Sequence, residues 1–182
     1  MNITETGLKG LLIIQPDIFT DSRGYFFESY NQNKFKNAGI SFVPVQENES
    51  KSSRGVIRGL HYQLNPQAQA KLIRVVEGRI FDVAVDIRKG SATFGKWYGI
   101  ELDSESKTQL LIPRGFAHGF SVLNEIAVIQ YKCDNLYNQQ LERGINLNDP
   151  ELNIDWKLGN IATIISDKDL KNPDFRNAEY NF

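Results

Sequence analysis

The feature that most constrains this chain is a period-two alternation through its middle. Over residues 79–88, Phe81, Val83, Val85 and Ile87 fall on one side of an extended segment, and Asp82, Ala84, Asp86 and Arg88 on the other. Successive side chains of a strand point to opposite faces, so the pattern belongs in a sheet. Residues 71–77 alternate in the same way, with Leu72, Arg74 and Val76 opposing Ile73 and Val75, and Gly78 between the two runs reads as a turn. Further strands are expected over residues 55–60, 97–102, 108–112, 119–123 and 126–132. One short helix is expected over residues 32–38, with Asn31 as its N-cap and Gly39 as its stop. The polar tail, residues 167–182 with Pro173, reads as irregular or as a short helical turn. Many short strands and few helices predict a mainly β, antiparallel sandwich or small barrel, in which inward residues can line a pocket. Charges facing inward would need partners, so an inward polar face would hint at a ligand cavity. The simpler expectation is that the face carrying Asp82 and Asp86 looks at water.

Composition narrows the class. The chain has 182 residues, 41% hydrophobic and 24% charged, which predicts one ordinary domain over residues 1–182. A chain of this size buries about 70% of its unfolded surface and needs no disulfide or metal to fold. The net charge of −1 argues against a polyanion-binding surface built on bulk charge, while leaving room for a local basic pocket. The single cysteine, Cys133, excludes an intramolecular disulfide framework and any multi-cysteine metal site, and fits a reducing, cytoplasmic setting. No apolar run approaches the ~20 residues of a membrane span, and no secretory signal, repeat or low-complexity tract is visible.

The chain has only two histidines, His61 in RGLHYQ and His118 in PRGFAHGF. A lone strand histidine is ordinarily structural. Here the company is unusual: Arg58, Lys71, Arg74 and Tyr131 also lie on expected strands, and Gln63 shares the strand face of His61. If those strands face one cavity, the set suits an anionic ligand and carbonyl chemistry. Two histidines cannot supply three imidazole ligands, and no His-x-His spacing supports a two-histidine, one-carboxylate metal site, so no metal is expected. No G-x-S-x-G elbow, G-x-G-x-x-G turn or Walker loop occurs. Cys133 sits in a strand pattern and is expected to be buried and inert. For paired carboxylates of the glycosidase kind, spacing does not decide, because such pairs come from distant strands.

The sequence as a whole resembles the dTDP-4-dehydrorhamnose 3,5-epimerase family of cupin-like sugar-nucleotide epimerases. The matching segments are DSRGYFFESYN (21–31), VQENESKS (45–52), VIRGLHYQ (56–63), AKLIRVVEGRIFDVAVDIRKGSATFGKW (70–97), IPRGFAHGFSVL (112–123), QYKCDNLYN (130–138), ERGINLNDPELNIDW (142–156) and SDKD (166–169). Each is weak alone; their order and spacing together are specific.

The resemblance implies a cupin-like jelly-roll barrel. It also implies epimerisation at C-3 and C-5 of dTDP-4-dehydro-6-deoxy-D-glucose, without a cofactor, in dTDP-L-rhamnose synthesis. Such chemistry needs a base, an acid across the ring and a donor or cation at the ketone oxygen. By the same resemblance His61 is the base, Asp169 its orienting carboxylate, Tyr131 the proton donor and Lys71 the cation beside the sugar carbonyl. His118 and Glu142 would contact substrate, Arg58 and Lys168 the sugar or diphosphate, and Arg23, Glu28, Gln46, Glu47 and Asn48 the nucleotide. Tyr137 would stack on thymine. Arg23 and Glu28 would act across a homodimer interface. Three alternatives stay open at this point: a mono-epimerase of a related dTDP-4-keto-6-deoxy sugar, a sugar-nucleotide-binding module without catalysis, and a metal-dependent cupin.

Overall fold

The alternating segments become strands in the computed structural model, which describes residues 1–182. In chain order they are β1 (Asn2–Glu5), β2 (Leu12–Gln15), β3 (Ile18–Asp21), β4 (Gly24–Phe27), helix α1 (Gln32–Asn37), β5 (Gln46–Ser53), β6 (Ile57–Gln63), β7 (Lys71–Glu77) and β8 (Arg79–Asp86), followed by β9 (Trp97–Asp103), β10 (Gln109–Ile112), β11 (Phe116–Val122), β12 (Ile126–Cys133) and β13 (Glu142–Gly144). A six-stranded sheet runs β1-β2-β10-β7-β12-β5 and a five-stranded sheet runs β13-β6-β11-β8-β9, while β3 and β4 form a separate hairpin. Neighbours in both sheets are antiparallel.

The two sheets face each other over a core that includes Ile73 and Val75 of β7, Ile129 of β12, Ile80 and Ala84 of β8, and Phe120 of β11. The opposite face of β8, with Phe81, Val83 and Val85, is covered by Leu152, Trp156, Leu158 and Phe175 from the chain beyond β13. Each large side chain sealed in this way contributes roughly 1.5–3 kcal/mol. This cover corrects the expectation for the Asp82 face. The apolar side of β8 packs outward against the C-terminal segment, so the polar side turns into the space between the sheets, and Asp82 and Asp86 are both fully buried. Asp86 is held there by the Arg88 guanidinium at 2.7 Å and by the hydroxyls of Ser91 and Thr93, each donating at 2.6 Å.

Helix α1 begins where expected, with the Asn31 side chain accepting from the Lys34 N–H at 3.1 Å. Phe35 then packs on Ile14, Phe42, Leu72 and Leu111, closing part of the outer face of the six-stranded sheet. The tail carries two single turns of 3-10 helix, Asp169–Lys171 and Phe175–Asn177. Upstream of the first turn, Ile164 is stitched beside the start of β6: the Ile57 N–H donates to its carbonyl at 3.0 Å, and its own N–H donates to Gly55 at 2.9 Å. That stitch delivers residues 166–169 to the mouth of the barrel. No helix is long and apolar enough to cross a membrane.

Candidate active site

Between the sheets lies a cavity of about 500 Å³, lined among others by Arg58, His61, Lys71, His118, Tyr131 and Asp169. A smaller chamber of about 110 Å³ continues past Gln46, Asn48, Tyr137 and Glu142. The two share His61, Lys71 and Tyr131, so these three side chains stand where the chambers meet. A separate groove of about 590 Å³ runs past Leu12, Phe42, Val43 and Pro113; its charged lining residues, Arg114 and Asp134, are spent on each other at 2.9 Å. Volume alone would favour the groove, but it holds none of the histidines and no convergent set of donors.

His61 owes its place to a fault in strand pairing. On β6, His61 stands opposite His118 of β11, but Arg58 stands opposite Phe120, so the register slips by one residue between them. Strict alternation would put residues 58 and 61 on opposite faces; the slip lets both line the cavity. Two glycines make the slip possible. Gly59 has φ +130, and a Cβ there would lie 2.5 Å from the Gly119 Cα, while a Cβ on Gly119 would lie 2.7 Å from the Arg58 carbonyl oxygen. Any side chain at either position would push the two strands apart.

Asp169, 108 residues away in sequence, closes on the ring of His61, with Nε2 to Oδ1 at 2.6 Å. Burial works to raise the Asp169 pKa, but the hydrogen bond and charge of His61, the Gly59 N–H and Ser166 outweigh it, so the carboxyl is held below its ordinary value. A carboxylate on one imidazole nitrogen fixes the tautomer and raises basicity at the other. His118 has its own partner, Asp82, at 2.9 Å. With each histidine committed to one carboxylate, no group of three His, Cys, Asp or Glu side chains is arranged to hold a metal.

Across the cleft, Tyr131 projects from β12, which pairs with both β7 and β5. Burial raises its pKa, with Cys133 and Glu142 adding to the effect and Arg58 opposing it. The Lys71 ammonium stands 5.9 Å from the centre of the Tyr131 ring. Burial depresses the Lys71 pKa, while Cys133, Asp82 and Glu142 pull it back up. Cys133 is buried and its thiol pKa is raised, first by burial, as expected of an inert cysteine.

The small chamber is polar. Tyr137 Oη donates to Glu142 at 2.8 Å, and the Lys168 ammonium lies 2.6 Å from the same oxygen. Burial raises the Glu142 pKa, but Lys168, Tyr137 and His61 bring it below normal. The Tyr137 N–H donates to Gln46 at 2.8 Å, and Gln46 donates to Asn48 at 3.0 Å. Arg58 is braced by Ser52 at 3.0 Å.

Four expected residues lie elsewhere in this chain. On β5 the alternation that turns Gln46 and Asn48 inward turns Glu47 outward, where it meets Lys132 at 2.5 Å. Arg74, three residues from Lys71, falls on the other face of β7 and bonds to Gln130. Arg23 stays at the tip of the β3–β4 hairpin, 87% exposed at its side chain and bonded to Asp21. Glu28 pairs with Lys34 at 2.9 Å beside α1. Conversely, the cavity is also lined by Ser50 and Ser166, which sequence reading did not single out. Ser50 shares the inward parity of Gln46 and Asn48 in VQENESKS, and that parity was the available signal.

Comparison with known proteins agrees with this geometry. Residues 5–177 match the family model described as dTDP-4-dehydrorhamnose 3,5-epimerase. The enzyme of that name from Shigella flexneri is 51% identical over 181 residues, covering 99% of each chain. The crystal structure of the Elizabethkingia anophelis dTDP-4-dehydrorhamnose 3,5-epimerase has a TM-score of 0.92 at 52% identity, covering 97% of each chain. The Legionella pneumophila dTDP-6-deoxy-D-glucose-3,5-epimerase, solved in complex with dTDP-4-keto-L-rhamnose, also has a TM-score of 0.92, at 46% identity over 96% of this chain and 93% of that one. Their cupin-like jelly roll is the fold described above. By sequence, fold and cleft together, the chain belongs to the dTDP-4-dehydrorhamnose 3,5-epimerase family.

Proposed function

We propose that this enzyme inverts C-3 and C-5 of dTDP-4-dehydro-6-deoxy-D-glucose, giving dTDP-4-dehydro-L-rhamnose for rhamnose synthesis, with His61 and Tyr131 as its proton-transfer pair. The observation that carries the reading is their placement: His61, backed by Asp169, comes from the five-stranded sheet and Tyr131 from the six-stranded sheet, and both line the same cavity beside Lys71. Both target carbons flank the C-4 ketone, so their C–H bonds are acidified. His61 takes the proton from one face, and the electron pair moves to the ketone oxygen as an enolate. Lys71 stabilises that oxygen. Tyr131 then gives a proton to the carbon from the other face, leaving a phenolate that Lys71 and Arg58 favour electrostatically. Exchange with solvent returns a proton to Tyr131 and removes one from His61, and the cycle repeats at the second carbon.

Arg58 and Lys168 fit the diphosphate as cations, His118 and Glu142 the sugar, Gln46 and Asn48 the nucleotide, and the half-exposed Tyr137 ring the thymine face. The reading includes a homodimer acting in the cytoplasm. Its support is the β3–β4 hairpin, which leaves Phe19 65% and Phe26 69% exposed and holds Arg23 away from its own cleft; such a patch suits a second copy. Sedimentation tests the dimer. Product configuration, read by NMR with a coupled reductase, tests the reaction: inversion at both carbons is expected. Inversion at one carbon would make it a mono-epimerase, and unchanged substrate a binding module.

A further inference from the structure

We infer that Asp82 is a positioning residue for this reaction: it fixes the His118 ring and commits the Nε2 proton, so that Nδ1 is the atom offered to the sugar. The inference deepens the proposed function and rests on it. On β8 the inward face carries two fully buried carboxylates, Asp82 and Asp86, and Asp82 sits between the apolar Ile80 and Ala84. In the β8–β11 pairing Asp82 stands opposite Phe120 and Ala84 opposite His118, which makes Asp82 the diagonal neighbour of His118. Asp82 Oδ2 lies 2.9 Å from His118 Nε2, while Oδ1 is sealed without any partner. An ionised carboxylate only accepts, so the proton of this bond sits on Nε2.

The other ring nitrogen is free. His118 Nδ1 makes no hydrogen bond within the protein and is not among its sealed, unpartnered atoms. The ring lines the main cavity directly across the register from His61. A buried carboxylate with an orphan oxygen is a costly element for a core, and a purely structural histidine would not need one. Holding a substrate-facing ring in a single orientation and a single tautomer is a use that matches the arrangement.

The chain has two histidines, so His61→Asn leaves His118 as its sole imidazole. Nitrogen-15 NMR of that variant is expected to show a slowly exchanging proton on Nε2; a proton on Nδ1, or rapid averaging between the two, would overturn the inference. With His61 intact, Asp82→Asn is expected to lower kcat/KM for the keto-sugar nucleotide about ten- to a hundredfold, the range for one misdirected buried hydrogen bond, while dTDP affinity stays unchanged. In a His118→Asn background the same change should cost nothing more. Full activity of Asp82→Asn, or losses that simply add, would contradict the positioning role. If Asp82→Asn does not fold, the spectrum of His61→Asn decides alone. If the unmodified enzyme fails to epimerise, the proposed function falls, and the spectrum still decides whether Asp82 holds His118.

Discussion

Two histidine–carboxylate pairs face each other across the β6–β11 register, and they are built differently. The His61 side chain is 29% exposed and its partner Asp169 4%, whereas His118 is 10% exposed and Asp82 not at all. Asp169 comes from a tail turn and is further supported by the Gly59 N–H and Ser166. Asp82 comes from the neighbouring strand and has one oxygen with no partner. On the proposed mechanism the contrast separates two tasks. A group that exchanges protons needs access to substrate and a counter-ion that stays satisfied through the exchange. A group that only presents one nitrogen needs rigidity, which a strand interior supplies.

The sharpest way to break this division is to remove the proposed base. His61→Asn is expected to lower kcat by about 10⁴, near the upper range for general acid–base catalysis, with dTDP affinity retained. A loss no larger than that of Asp82→Asn would merge the two pairs into one role. Tyr131→Phe should come next, at about 10³. It should also split the reaction: His61 still washes substrate hydrogen into solvent, but inversion stops. Inversion at an undiminished rate would place the proton donor elsewhere. Asp169→Asn should cost about a hundredfold through the wrong tautomer of His61, again without loss of dTDP affinity.

The same contrast explains what the sequence could and could not reveal. Strand β8 was legible because its apolar residues alternate, and β7 ran over the expected residues, Lys71–Glu77. Strand β5 was not, because QENESKSS has no apolar residue to mark a face. Its inward side is polar because it lines the cleft, so the function of the strand erased its structural signal. The short edge strands β1 and β13 are too brief to carry a period. Arg58 and His61 could be placed together only by the slip at Gly59 and Gly119, which alternation does not foretell. Burial of Asp82 depended on cover from residues beyond β13, a tertiary fact with no local trace. The His61–Asp169 link spans 108 residues and was legible only through resemblance to a family.

A third carboxylate supplies the smallest effect and a control. Asp86 is as buried as Asp82 but fully partnered. Burial raises its pKa, yet Arg88, Ser91 and Thr93 outweigh this and bring it from 3.8 to about 2. A depressed carboxylate stabilises the fold above its unfolded value and loses that contribution as pH falls from 3.8 toward 2. The contribution is about 2 kcal/mol at neutral pH. Asp86→Asn should therefore lower neutral-pH stability by about that much and flatten acid unfolding in this window, with kcat unchanged in the folded protein. Denaturant melts at pH 7 and pH 3 measure it; equal losses at both would show that the charge contributes nothing.

On the proposed mechanism an imidazole and a phenol on opposite sheets exchange protons with both carbons beside the ketone. Incubation of the enzyme with dTDP-4-dehydro-6-deoxy-D-glucose in heavy water, followed by NMR of the product, tests it most directly. Deuterium is expected at both C-3 and C-5, each with inverted configuration. Deuterium at one carbon alone, or at neither with folded enzyme and authentic substrate, would contradict it.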